Sequence, residues 1–372
     1  MVIRPNRRDI LVTGGASLLL GGQRTAQRRK VDLWDNATGP HLRGAVLPQR
    51  RVYPAIDGDT FLGPGPVGTP ISDAALASLA NTGGNLALLS HPGIYSETAP
   101  YRIDHQIADH LARLVERCAR HGLYTVIGFR TGPGRSEFTF HRDDGDSWFP
   151  ASMIDERVWS DGEAQSAWGE MWKHTARLFR SNSAVAGYLP MVEPNGSHVV
   201  RRSLWPQFAR RLAQVIREVD TETPLLMSPD GYANVAYESA IDLSGLENTV
   251  LAIHDYSPFA YTHSPPMGAA SFSNETAQIL PPSSNRWMVG EWGVHRWAHR
   301  APEFARLRLQ SMEEQGANSA WFSWPSGWGD YEEVENGWNP FFGDDPNAIH
   351  RVRNPAMIDV LQRYWSRNTQ RP

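Results

Sequence analysis

Eight short apolar runs, separated by longer stretches, divide the chain from about residue 40 to its end: 42–47, 85–90, 123–129, 185–191, 224–228, 249–255, 286–291 and 319–324. Runs of this length suit strands buried on both faces, as parallel strands are beneath covering helices. Two of the intervening stretches carry helical stripes, Ile107, Leu111, Leu114, Val115 and Cys118 in one, Leu204, Phe208, Leu212, Val215, Ile216 and Val219 in the other. Spacings of three and four put each set on one buried face. Eight such alternations predict an α/β fold, a closed (β/α)8 TIM barrel forming a single domain over residues 31–372, rather than an open doubly wound sheet. The chain has 372 residues, 41% of them hydrophobic, so it can bury the core that a barrel needs. No internal repeat or linker splits it. No glycine-rich phosphate loop opens a helix, so nucleotide binding has no support and no cofactor is expected.

The first thirty residues form an address of their own. A basic head with Arg7 and Arg8 precedes a weakly polar stretch from Ile10 to Gly22, followed by a polar basic segment ending at Lys30. That is the layout of a signal peptide, and the middle stretch is shorter than the roughly 20 residues a bilayer span requires. Arg7-Arg8-Asp9-Ile10-Leu11 resembles the twin-arginine export signal. Residues 1–30 are therefore expected to direct export, to the periplasm or beyond, leaving a mature form without a membrane span. No clear small-residue cleavage site stands out near Ala26.

Those thirty residues hold seven basic side chains and one acid, so the remainder carries a formal charge of −10 where the whole chain carries −4. A body this acidic, without a basic stripe, repels phosphate backbones and excludes nucleic acid as the expected partner. Fourteen tryptophans are available both for the core and for a groove that stacks on sugar rings. The single cysteine, Cys118, falls on a helical stripe and reads as core. No metal is expected: His295 and His299 lack the companion base of a zinc protease motif, and Asp330, Glu332, Glu333 and Glu335 follow no calcium-loop pattern.

Three long non-periodic segments, 131–164, 257–284 and 325–352, follow the third, sixth and eighth runs and belong at the carboxyl-terminal rim, where barrels build their sites. Their Trp148, Trp159, Tyr261, Trp328, Tyr331, Trp338, Phe341 and Phe342 predict an aromatic-walled cleft. Glu193 closes the fourth run, before Pro194-Asn195-Gly196, and Glu291 closes the seventh, after Trp287-Met288-Val289-Gly290. Strands four and seven face each other across a closed barrel, so both carboxylates point into one mouth. Glycoside hydrolysis needs such a pair.

The segment Tyr188-Leu189-Pro190-Met191-Val192-Glu193-Pro194-Asn195 resembles the strand-four motif of clan A glycoside hydrolases, above all the cellulase-like family five. Ile253-His254-Asp255-Tyr256, Val289-Gly290-Glu291-Trp292-Gly293 and Ala320-Trp321-Phe322-Ser323-Trp324 resemble that family's strand-six, strand-seven and strand-eight segments. The resemblance implies a retaining β-glycosidase acting on a polysaccharide or glycoconjugate. It makes Glu193 the acid/base, held protonated near neutral pH, and Glu291 the ionised nucleophile. Tyr256 would donate to Glu291, His254 would line the donor subsite, Asn195 would contact substrate, and Trp321 or Trp324 would form the floor. Two positions depart from the pattern: Val192 stands where the family has asparagine, and Leu88 where it has a strand-two arginine. Arg130, or second His91, is the candidate replacement for the lost polar contacts. A transglycosylase, or a glycan-binding barrel with little or no turnover, fits the same residues.

Overall fold

A computed structural model describes residues 29–58, 62–142, 148–200, 204–328 and 336–372. Eight strands, β1 Arg43–Pro48, β2 Leu86–His91, β3 Tyr124–Phe129, β4 Val185–Leu189, β5 Leu225–Met227, β6 Thr249–His254, β7 Trp287–Trp292 and β8 Asn318–Trp321, form a closed barrel. Each strand pairs in parallel with its sequence neighbours, and β8 pairs with β1 to close the ring. Closure brings the strands close enough at one point to demand glycine, because a Cβ on Gly44 would meet the Leu86 carbonyl oxygen at 1.9 Å.

Alternation along each strand sorts side chains into two cores. Leu86, Leu88, Val126, Val250, Ala252, Met288 and Ala320 point inward and fill the barrel. Ala87, Leu89, Ile127, Phe129, Leu251 and Val289 point outward against the helices. Trp34, on the 3-10 turn Lys30–Trp34, joins the inner core, and its Nε1 donates to the Ala186 carbonyl at 3.1 Å. Lys30 donates to the Asn182 carbonyl at 2.9 Å, so the folded body reaches back to the residue at which the basic leader was expected to end.

Among the described residues six long helices clothe the barrel: α1 Asp73–Asn81, α2 His105–Arg120, α3 Gly162–Phe179, α4 Trp205–Arg217, α5 Ala301–Glu314 and α6 Ala356–Trp365. Side-chain caps start the first three, with Ser72, Asp104 and Asp161 accepting from first-turn amides. The expected stripe on α2, including Cys118, is buried. Two of the expected crossover helices are missing. Between β5 and β6 the chain makes only the short turns Asp230–Ala233 and Val235–Ala240, and between β6 and β7 only Phe259–Thr262. The first connection turns on Gly231, Tyr232 and Ala233, all at positive φ. The second contains Pro258, Pro265, Pro266, Pro281 and Pro282, whose missing N–H groups break up both of its ends. No helix among the described residues is long and apolar enough to cross a membrane. Residues 1–28, with the proposed leader, and the acidic run from Asp330 to Glu335 lie outside the described residues.

Candidate active site

The carboxyl ends of the strands meet in a cleft of about 990 Å³, lined among others by Arg130, Glu193, His254, Tyr256, Glu291, Phe322 and Trp338. Glu291 lies within β7 and is 2% exposed. Glu193 stands four residues past the end of β4, but the pairing continues to it, since the Val192 amide donates to the Phe129 carbonyl at 2.9 Å. His254 bridges the two. Its Nδ1 lies 3.0 Å from Glu193 Oε1 and 3.5 Å from Glu291 Oε2. Tyr256 donates to Glu291 Oε2 at 3.1 Å. Glu291 Oε1 and His254 Nε2 are buried without a hydrogen-bond partner, polar atoms left for whatever enters.

Glu193 adopts a left-handed backbone, φ 49°, which costs a β-carbon-bearing residue unless its surroundings hold it there. Arg135 does the holding. This fully buried guanidinium donates to the carbonyls of Arg130 at 2.9 Å, Val192 at 2.8 Å and Glu193 at 2.6 Å. Arg130 in turn is fixed by Glu137, both of whose carboxylate oxygens accept from its Nε at 2.9 Å, and it lies 3.7 Å over the Phe140 ring. The Arg130 side chain lines the cleft.

The electrostatics differ from the roles that the resemblance implies. Burial and the charge of Glu193 push the Glu291 carboxyl up to about 7. Burial pushes Glu193 up too, but the hydrogen bond and charge of His254, with Arg130 and Arg135 behind, outweigh it and hold Glu193 below the usual carboxylate range. Burial opposes a charge on His254, yet the two carboxylates overcome it and raise its basicity. The ligand-free site therefore favours a protonated His254 beside an ionised Glu193, with Glu291 the carboxyl that gains a proton near neutrality. One ligand atom from each of the three residues lies within 4.8 Å of the others, a spacing that also suits a cation. The hydrogen bonds from His254 and Tyr256 already organise these oxygens for proton chemistry.

Several expected site residues lie elsewhere. Trp321 points outward from β8, edge-on to Trp292 with ring centroids 5.0 Å apart. Trp324 is buried behind the barrel and donates to the Ala75 carbonyl on α1. Phe322, between them in sequence, is the strand-eight ring that lines the cleft. His91 also points outward: it sits an odd number of residues from inward-facing Leu88, and its Nε2 meets His110 Nδ1 on α2 at 3.0 Å. Asn195 is fully buried and donates to Thr139 Oγ1 at 3.2 Å, away from the cleft lining. Val192 is fully buried over Gly128, where a Cβ would come within 2.9 Å of Val192 Cγ2, and Leu88 lies in the inner core, so neither departure presents a side chain to the cleft. Of the rim aromatics, Trp338 lines the cleft, Trp159, Tyr261 and Phe342 are packed inside, and Tyr331 is outside the described residues. The sequence reading missed Arg135 and Glu137, which stand in a polar, glycine- and proline-containing run, Arg130-Thr131-Gly132-Pro133-Gly134-Arg135-Ser136-Glu137, that carries no mark of burial. A separate hollow of about 410 Å³ between α3 and α4 brings no pair of carboxyls together.

Comparison with known proteins agrees with this architecture. The family described as Cellulase (glycosyl hydrolase family 5) matches residues 69–327. A β-xylosidase of Phanerodontia chrysosporium is 30% identical over 160 residues, 42% of this chain. The match spans only 31% of that protein's length. The endoglucanase Cel5A of Thermotoga maritima superposes with a TM-score of 0.61 at 14% identity, covering 90% of this chain and all of its own. The cellulose synthase subunit Z of Clostridioides difficile gives 0.58 at 13% identity, covering 86% and 99%. At such identities the two structures speak for the fold alone.

Proposed function

The chain belongs to the cellulase family, glycosyl hydrolase family 5, and from that premise we propose that it cleaves O-glycosidic bonds of a β-linked carbohydrate substrate with retention, using Glu291 as nucleophile and Glu193 as acid/base. The observation that carries this reading is the closeness of the two carboxyls, an oxygen of each lying within 4.8 Å. Retaining enzymes hold their pair at about 5–5.5 Å, whereas inverting ones leave a wider gap for water. The electrostatics fit once the bridging proton is followed. Above the range in which Glu291 ionises, transfer of the His254 Nδ1 proton along its 3.0 Å hydrogen bond yields a protonated Glu193, a neutral imidazole and an ionised Glu291. Glu291 then attacks the anomeric carbon as Glu193 gives its proton to the departing oxygen. In the second step Glu193 takes a proton from water, whose oxygen displaces Glu291 from the sugar.

The test is turnover of aryl β-glycosides by Glu193→Gln and Glu291→Gln, each expected to lose roughly 10²–10⁴ in rate. Wild-type activity in both would reject the assignment. Product analysis also separates hydrolysis, which releases free sugar, from transglycosylation, which lengthens an acceptor.

We further propose that the protein is exported, on the strength of Arg7-Arg8 and the short apolar stretch behind them. Residues 1–40 fused to a reporter should carry it across the membrane, and Arg7→Lys with Arg8→Lys should stop it. A reporter that stays in the cytoplasm with the unaltered leader removes the proposal.

A further inference from the structure

One wall of the cleft is apolar and open to solvent, and it is built by the two connections that lack long helices. Tyr232, Val235 and Tyr237 come from the β5–β6 connection, Phe259 and Leu280 from β6–β7. Phe259 is 66% exposed and Leu280 74%, the behaviour of a surface awaiting a partner more than of a core. The two connections form one continuous wall, since the Ser283 amide donates to Glu238 Oε2 at 3.0 Å. The wall also joins the loop of the proposed acid: the Tyr232 amide donates to the Pro194 carbonyl, one residue beyond Glu193, at 2.9 Å.

Position decides what this wall meets. The group that leaves the sugar must have its oxygen within hydrogen-bond reach of Glu193, so the leaving group extends past Tyr232 toward Tyr237 and Leu280. Aromatic rings alone would suit another sugar, because they stack on its flat apolar face. A prominent leucine has no such face and cannot bond hydroxyls, yet it gains from any methylene that covers it. Building on the glycosidase reading, we propose that the preferred substrate is a β-glycoside with an apolar leaving group, an alkyl or fused-ring aglycone, held on Phe259, Leu280 and Tyr237.

The test uses methyl, butyl, hexyl and octyl β-glucosides and β-xylosides below their micellar concentrations, with p-nitrophenyl glycosides and cello-oligosaccharides alongside. The specificity constant should climb with chain length, by roughly two- to fourfold for each methylene that reaches the wall. Leu280→Ser and Phe259→Ser should each lower the octyl-to-methyl ratio at least fivefold. Hydrolysis of the aryl glycosides with a flat alkyl series, or a ratio unaltered in both variants, or a clear preference for cello-oligosaccharides, overturns the aglycone assignment and leaves the glycosidase reading standing. Absence of Glu291-dependent hydrolysis throughout overturns both.

Discussion

The two sides of the cleft offer the same functional group, a glutamate, in opposite surroundings. On the β3–β4 side, Glu193 stands among guanidiniums: Arg135 grips its backbone, and Arg130, pinned by Glu137, faces the same space. On the β6–β7 side, Glu291 sits among rings, with Tyr256 bonded to it and Phe322 and Trp338 around that tyrosine. The hydrogen bond and charge of His254, with the guanidiniums behind, hold Glu193 down against its burial, while burial and the charge of Glu193 push Glu291 up to about 7. Environment, not residue type, separates them. Where the resemblance implied a strand-two arginine, Leu88 fills the inner core, while Arg130, just past the end of strand three, lines the cleft.

The largest effect should come from removing that cation. Arg130→Ala leaves Glu137, 4% exposed, without its guanidinium and with only the His141 imidazole at 3.9 Å, and breaking a buried pair this way costs about 3–5 kcal/mol. Denaturant unfolding at neutral pH measures it. The double variant Arg130→Met with Glu137→Leu should recover most of the loss, because the stability belongs to the pair. If Arg130→Ala is as stable as the parent, the β3–β4 side is not the charged scaffold described above.

Much of this was readable in the sequence. Apolar runs set off from amphipathic stretches located all eight strands, because a parallel barrel strand is buried on both faces and has few alternatives. The glutamates were visible for a related reason: a carboxyl ending such a run has only the rim to occupy. Two of the errors, Trp321 and His91, share a cause, which is parity. Ala320 faces inward, so Trp321 must face out and Phe322 in, and Leu88 likewise sends His91 outward. Residue type drew the reading to Trp321 and, after Arg130, to His91, while alternation gave the cleft Phe322 and Arg130. Arg135 had no comparable marker. Its work is done on main-chain carbonyls brought together only by folding, and a run such as Gly134-Arg135-Ser136 looks like any polar turn. The helix lost between β5 and β6 was hidden as well, since Gly231, Tyr232 and Ala233 take left-handed backbones that composition alone does not announce.

A smaller effect tests the asymmetry itself, through the sign of a stability change. Glu291 has its folded carboxyl raised to about 7 from an ordinary 4.5, so the folded protein holds a proton there that the unfolded chain has already released. Its contribution is complete below the unfolded value and is lost as pH rises through about 7. Glu193 is lowered, so its contribution exists above the unfolded value and disappears as pH falls through the folded one. At pH 8, therefore, Glu291→Gln should stabilise the protein by about 1–3 kcal/mol, because it removes a buried charge with an unpartnered oxygen. Glu193→Gln should destabilise it by a similar or smaller amount, because it takes away the acceptor that His254 and the guanidiniums surround. Near pH 5 the gain in Glu291→Gln should vanish, since the wild-type side chain is then neutral. The same ionisation places the acidic limb of kcat/KM near pH 7 rather than near 4.5, as the nucleophile must lose its proton before it can attack. Thermal unfolding of both variants at pH 5 and pH 8 decides the matter. Shifts of one sign in both variants at pH 8 would mean that the two sides of the cleft are electrostatically alike, and the proton path through His254 would then lose its physical basis.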